Sequence, residues 1–246
     1  MLLGIYTSQR CGSNLCEGLL HRHGIRPFGE QFCFDQGGLI KGKHVKTKYP
    51  VTHLQNLINS CAPGNYSVRI MTSHFKHYDK EVAFEKMLSI GQCCDHIIIL
   101  KRQFFFKYTS QQIASITGQW VSFGKGKGGV MGLGKKFSRL YKKPSKTKQK
   151  PYFDAKAYTR WKAGDDRRFE MFSEMFPAAN YITYKGMLES DLDINYIIPD
   201  EWNVNLELND SVELPIKQVK ENKTGSEPWL LYENPEVAKE YYLQDE

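Results

Sequence analysis

The chain has no G-x-x-x-x-G-K-[ST] segment, so the lysine and the Mg²⁺-binding hydroxyl of ATP- and GTP-cleaving phosphate loops are absent. No apolar run approaches the ~20 residues needed to span a bilayer. The opening residues carry neither the charged start nor the small-residue cleavage site of a secretory signal. These absences lead us to expect a soluble, cytoplasmic protein. The cysteines Cys11, Cys16, Cys33, Cys61, Cys93 and Cys94 lack zinc-finger spacing and do not read as a disulfide framework in a chain of 246 residues. Buried free thiols are expected, and no metal site. Acidic residues are missing from Val121 to Phe153, where ten Lys or Arg fall. The whole chain is +7, yet outside that segment 24 basic residues face 27 acidic ones, a net −3. The basicity therefore belongs to one insertion, which argues against a general nucleic-acid surface.

What is present fits one large α/β domain over residues 1–246, with an ordinary 41% hydrophobic share. Leu2 to Thr7 reads as a first strand and Asn14 to Arg22 as the helix after it. Ser67 to Thr72 follows the Pro63-Gly64-Asn65 turn as a second strand. Glu81 to Leu88 has two helical faces, and His96 to Leu100 is the nearly uniform apolar run of a central parallel strand. Phe104 to Trp120 and Asp154 to Phe176 read as long helices, and Tyr181 to Tyr184 as a late strand. Alternating strands and helices imply a phosphate-loop-like parallel sheet with helices on both faces. The insertion at 122–152 interleaves glycines and lysines; it reads as a loop, or as a basic helix with Leu133, Phe137, Leu140 and Tyr141 on one side. In the second form it is a docking element for an acidic partner or a membrane surface.

Two constellations carry chemistry. Residues 8–14 turn from the first strand into the first helix, a place where backbone N–H groups and a helix N-terminus face an anion. That loop also lies at the carboxyl end of a strand, where such sheets bind ligands. Arg102 closes the apolar strand, and Ser110 stands eight positions on in the next helix. A guanidinium there grips a phosphate in a bidentate pair while the hydroxyl donates alongside. Together they describe a nucleotide held at both ends by phosphates.

On these residues the chain resembles the sulfotransferases that use 3′-phosphoadenosine 5′-phosphosulfate (PAPS), and in particular their bacterial trehalose sulfotransferase branch. Gln9-Arg10-Cys11-Gly12-Ser13-Asn14 is similar to that family's 5′-phosphosulfate loop, and Arg102 with Ser110 to its 3′-phosphate pair. Gly24 to Phe32, Thr117-Gly118-Gln119-Trp120, Ile182 to Leu188 and Glu227-Pro228-Trp229 follow in the order of that branch. Cys11, Asn14 and Lys185-Gly186 depart from its usual serine, threonine and Glu-Asp. The resemblance implies PAPS as co-substrate, adenosine 3′,5′-bisphosphate as product, and a small-molecule or glycan acceptor. It implies that Arg10 is the catalytic cation, that Cys11, Gly12, Ser13 and Asn14 cradle the 5′-phosphate, and that Tyr184 contacts the adenine side. Two residues compete for the base: Glu30 by the trehalose sulfotransferase pattern, and His74 by the cytosolic pattern. Glu30 is the favoured one. A further cation for the 3′-phosphate is expected among Lys217, Lys220 and Lys223. Two other readings stay open: an ATP-dependent phosphate-loop kinase, and a non-catalytic nucleic-acid or membrane-surface module acting through 122–152.

Overall fold

The computed structural model describes residues 1–32, 48–117, 150–209, 211–212, 214 and 227–245. The insertion from 122 to 149, the Gly118-Gln119-Trp120 segment, Cys33, and Lys217, Lys220 and Lys223 lie outside the described residues. Five strands, β1 (Leu2–Thr7), β2 (Ile25–Pro27), β3 (Asn65–Met71), β4 (His96–Lys101) and β5 (Asn180–Thr183), form one parallel sheet in the order β2-β3-β1-β4-β5. Seven α-helices are described: α1 (Ser13–Arg22), α2 (Pro50–Asn59), α3 (Lys80–Gly91), α4 (Phe104–Thr117), α5 (Ala155–Met175), α6 (Tyr184–Glu189) and α7 (Pro235–Leu243). This is the α/β, parallel-sheet fold expected from the alternation of elements. No helix among the described residues is long and apolar enough to cross a membrane.

The order of the strands follows from the connections. From β1 the chain moves outward to β2, then returns through β3 and crosses β1 to reach β4. With right-handed crossovers, these opposite directions put α1 on one face and α2, α3 and α5 on the other. The side chains agree. Tyr6 of β1 donates from its hydroxyl to the Met87 carbonyl of α3 at 2.6 Å, and its ring meets Phe172 of α5 at 5.4 Å. Every residue of β1 is buried, as expected of a strand covered on both faces.

Several elements went unread in the sequence. β2 has only three residues, too few for a periodic signal. The helices α2 and α7 both begin with proline at the first position, a start signal that the sequence reading passed over. Tyr184 falls one residue beyond β5 and opens α6, because the Thr183 hydroxyl accepts the Gly186 N–H at 2.9 Å and caps a helix there. Trp161, at a helical interval from the buried Phe169 and Phe172 of α5, is 41% exposed. A second core of aromatic side chains joins Phe104, Phe105 and Tyr108 of α4 to Phe153, Tyr158 and Tyr232. Asp245, just past α7, accepts the Phe105 N–H at 2.7 Å and so supplies the cap at the start of α4. The C-terminal segment thereby fixes the helix that follows Arg102.

Candidate functional site

The carboxyl ends of β1, β3, β4 and β5 gather nearly all the chemistry-bearing residues named from the sequence. Because β1 sits between β3 and β4 while the chain leaves it in one direction and returns in the other, this is a switch point of the topology. The loop after β1 turns through two left-handed residues, Arg10 at φ 67° and Gly12 at φ 89°. A non-glycine residue in that region is strained, and Arg10 is held there by its contacts. Helix α1 then starts at Ser13, with Gly12 O accepting the N–H groups of Leu15 at 2.9 Å and Cys16 at 3.2 Å. It has no side-chain cap and no acidic residue in its first turn. Its first N–H groups and dipole are therefore left for an anion. Gly12 is required twice over. Beyond its φ, a Cβ there would lie 2.1 Å from Cδ2 of Tyr184, whose ring covers the loop.

The two arginines meet at this loop. Arg10 donates through Nε and Nη2 to Ser110 Oγ, at 3.0 and 2.7 Å. Arg102 donates through Nη1 to the Arg10 carbonyl at 3.2 Å, and its guanidinium lies 4.4 Å from the centroid of the Tyr184 ring. Ser110 thus accepts from Arg10, and Arg102 braces the same loop through its backbone carbonyl. Burial pulls both guanidiniums below the usual arginine range, and the charge of Arg102 pulls Arg10 down further. Among the described residues no carboxylate pairs with Arg102. Burial likewise raises the Tyr184 phenol, with Arg102 working against the rise.

Both candidate bases gather around a residue the sequence reading missed. Arg69, buried on β3, donates to Glu30 Oε1 at 2.7 Å, to Asn14 Oδ1 at 2.9 Å and to Glu17 Oε2. Burial opposes its charge, but Glu17 and Glu30 outweigh that and raise its pKa. The signal was present as an arginine inside the apolar run of β3 and a glutamate within the otherwise uncharged Ser13–Leu20 stretch of α1. Opposite charges at two core-facing positions point to a buried pair. His74, in the 3₁₀ turn Thr72–Phe75, is 3% exposed. Its Nδ1 accepts the Met71 N–H at 3.3 Å, while Nε2 has no hydrogen-bond partner among the described residues. Burial first, and the Arg69 charge second, push the imidazole down to about 3, so it is neutral at physiological pH.

A second buried network supports the loop from below. Asp165 of α5 accepts Ser8 Oγ at 2.9 Å and Arg168 Nη1 at 3.1 Å, and it pairs with Lys107 of α4, which also reaches Ser8. The Cys11 thiol, fully buried, lies 3.3 Å from the same serine hydroxyl. Ser13 is buried at the start of α1. The loop is thus anchored by α4 and α5, through Ser8 and Cys11. Neither a protein-family model nor a curated protein sequence matches this chain.

Proposed function

We propose that this protein is a PAPS-dependent sulfotransferase that transfers a sulfuryl group to an acceptor hydroxyl, a carbohydrate or glycolipid hydroxyl being the family expectation. The observation that carries the reading is the meeting of Arg10 and Arg102 beside the uncapped start of α1. Burial already penalises both guanidinium charges, and the charge of Arg102 adds to that penalty at Arg10, so an anion bound beside them removes a cost. A nucleotide with phosphates at both its 5′ and 3′ positions offers one group to the N–H donors of residues 11–14 and another to Arg102. The residues therefore fit PAPS, and a cytoplasmic location goes with the reading.

In this reading the residues divide the work. The α1 N-terminus and Arg10 neutralise the charge that builds on the bridging oxygen as its bond to sulfur breaks. Glu30 accepts the acceptor proton as the new oxygen–sulfur bond forms, and the electron pair of the broken bond leaves with the phosphate. Glu30 keeps 20% of its side chain accessible and is held in place by Arg69. His74, almost fully enclosed and neutral, lines the site without moving a proton. The Tyr184 ring supports the nucleotide beside Arg102. The test is mass spectrometry of acceptor pools incubated with protein and PAPS. The expected result is a product heavier by one sulfate, formed with an equal amount of adenosine 3′,5′-bisphosphate. Consumption of ATP with Mg²⁺ and no sulfate transfer would return the chain to the kinase reading.

A further inference from the structure

The outer face of α5 carries a signal that the nucleotide site does not use. Lys156, Arg160 and Arg167 fall four and seven residues apart, on one stripe roughly 16 Å long at the helical rise. All three are exposed, and no carboxylate among the described residues pairs with any of them. The opposite face of the helix is core, with Tyr158, Asp165, Phe169 and Phe172 buried. The stripe lines a groove of about 610 Å³ whose far wall is Tyr241 of α7, itself fixed by edge and tilted contacts to Tyr158 and Phe153.

Gly164 sits in the floor of this groove, between Arg160 and Arg167. After proline, glycine is the residue that most weakens a helix interior. Packing does not require it here, since a Cβ would meet nothing nearer than Arg168 Nη2 at 3.7 Å, an ordinary contact. What its missing side chain does is keep the groove open between two cations. From Val121 to Arg160 the chain has twelve Lys or Arg and one acid, Asp154, whose carboxylate is engaged as the cap of α5 by accepting the Ala157 N–H.

We propose that the α5–α7 groove is a docking surface for an acidic polysaccharide, its carboxylate or sulfate groups paired with Lys156, Arg160 and Arg167 and a sugar face laid on Tyr241. Charge complementarity requires an anionic occupant. The surface is a shallow, open groove lined by exposed cations, unlike the protruding apolar face that a membrane-surface helix inserts. It offers one aromatic ring, where a single-stranded nucleic acid needs successive rings to stack its bases. This inference goes beyond the nucleotide reading and does not depend on it.

The experiment is fluorescence polarisation with a labelled heparin-derived octasaccharide, the full chain and no nucleotide. Binding is expected to weaken steeply with salt and to be absent for a neutral dextran of equal length. Gly164→Leu fills the groove without changing charge and favours the helix, so it keeps the fold; it is expected to weaken binding at least tenfold. The pair Arg160→Glu and Arg167→Glu, both at exposed positions, is expected to weaken it at least as much. Unchanged affinity in Gly164→Leu, equal binding of the dextran, or tighter binding of an eight-residue oligothymidine would each overturn the proposal. The last result would assign the groove to nucleic acid.

Discussion

Replacing Arg102 by alanine separates a ligand-gripping arginine from a structural one. In the proposed complex the guanidinium makes a charge-assisted, bidentate contact to the 3′-phosphate. Hydrogen bonds to charged groups contribute about 1.5–3 kcal/mol, so losing the pair should weaken adenosine 3′,5′-bisphosphate binding roughly a hundredfold. The free protein should respond differently. Arg102→Ala gives up one charge-assisted hydrogen bond to the Arg10 carbonyl, about 1.5–3 kcal/mol, and a cation–π contact with Tyr184, about 0.5–2 kcal/mol. Against that, it removes a buried charge with no carboxylate partner among the described residues and frees Arg10 from its neighbour's repulsion. These effects oppose each other, so stability should change by no more than about 2 kcal/mol. Titration calorimetry reads the affinity, and urea unfolding reads the stability. A variant with intact affinity, or one destabilised by several kcal/mol, would refute the reasoning, because Arg102 would then serve the fold.

Glu30→Gln should cut sulfate transfer by roughly two to four orders of magnitude with nucleotide affinity kept, whereas His74→Ala should cost less; steady-state rates in which the ranking reverses would give the base to His74. His74 has a folded pKa of about 3, below its usual 6.5, so the stability it contributes is complete above pH 6.5 and is lost as pH falls toward 3. His74→Asn keeps an acceptor for the Met71 N–H, and it should flatten the acid limb of stability in that window by up to about 1.4 kcal/mol per pH unit; unfolding curves at a series of pH values check this, and an unchanged slope would contradict it. Arg69→Met leaves Glu17 buried without its cation and should cost about 3–5 kcal/mol, read as a shift in the urea midpoint.

The sheet was legible because its central strands are long apolar runs: Leu2–Thr7 and His96–Lys101 could hardly be anything but buried strands. The turn into α1 was legible for a related reason, since small and polar residues between such a strand and an amphipathic helix have few conformations open to them. What the sequence withheld was pairing across distance. Ser110 reads as the partner of Arg102 from its place eight positions on in the next helix, yet the fold brings Arg10, 100 residues away in sequence, to that hydroxyl. Arg69 was passed over because a charge inside a strand carries no meaning until Glu17, Glu30 and Asn14 are seen to converge on it. The groove on α5 escaped as well, since its stripe depends on which face of the helix the core claims.

The most direct test of the central claim is thermal unfolding of the unaltered protein with two nucleotides. Adenosine 3′,5′-bisphosphate at a hundred times its dissociation constant should add about 2.7 kcal/mol to stability. For a chain of this size, that raises Tm by roughly 5–10 °C. ATP with Mg²⁺ at the same concentration should raise it far less. A Tm unmoved by adenosine 3′,5′-bisphosphate but raised by ATP with Mg²⁺ would contradict the account.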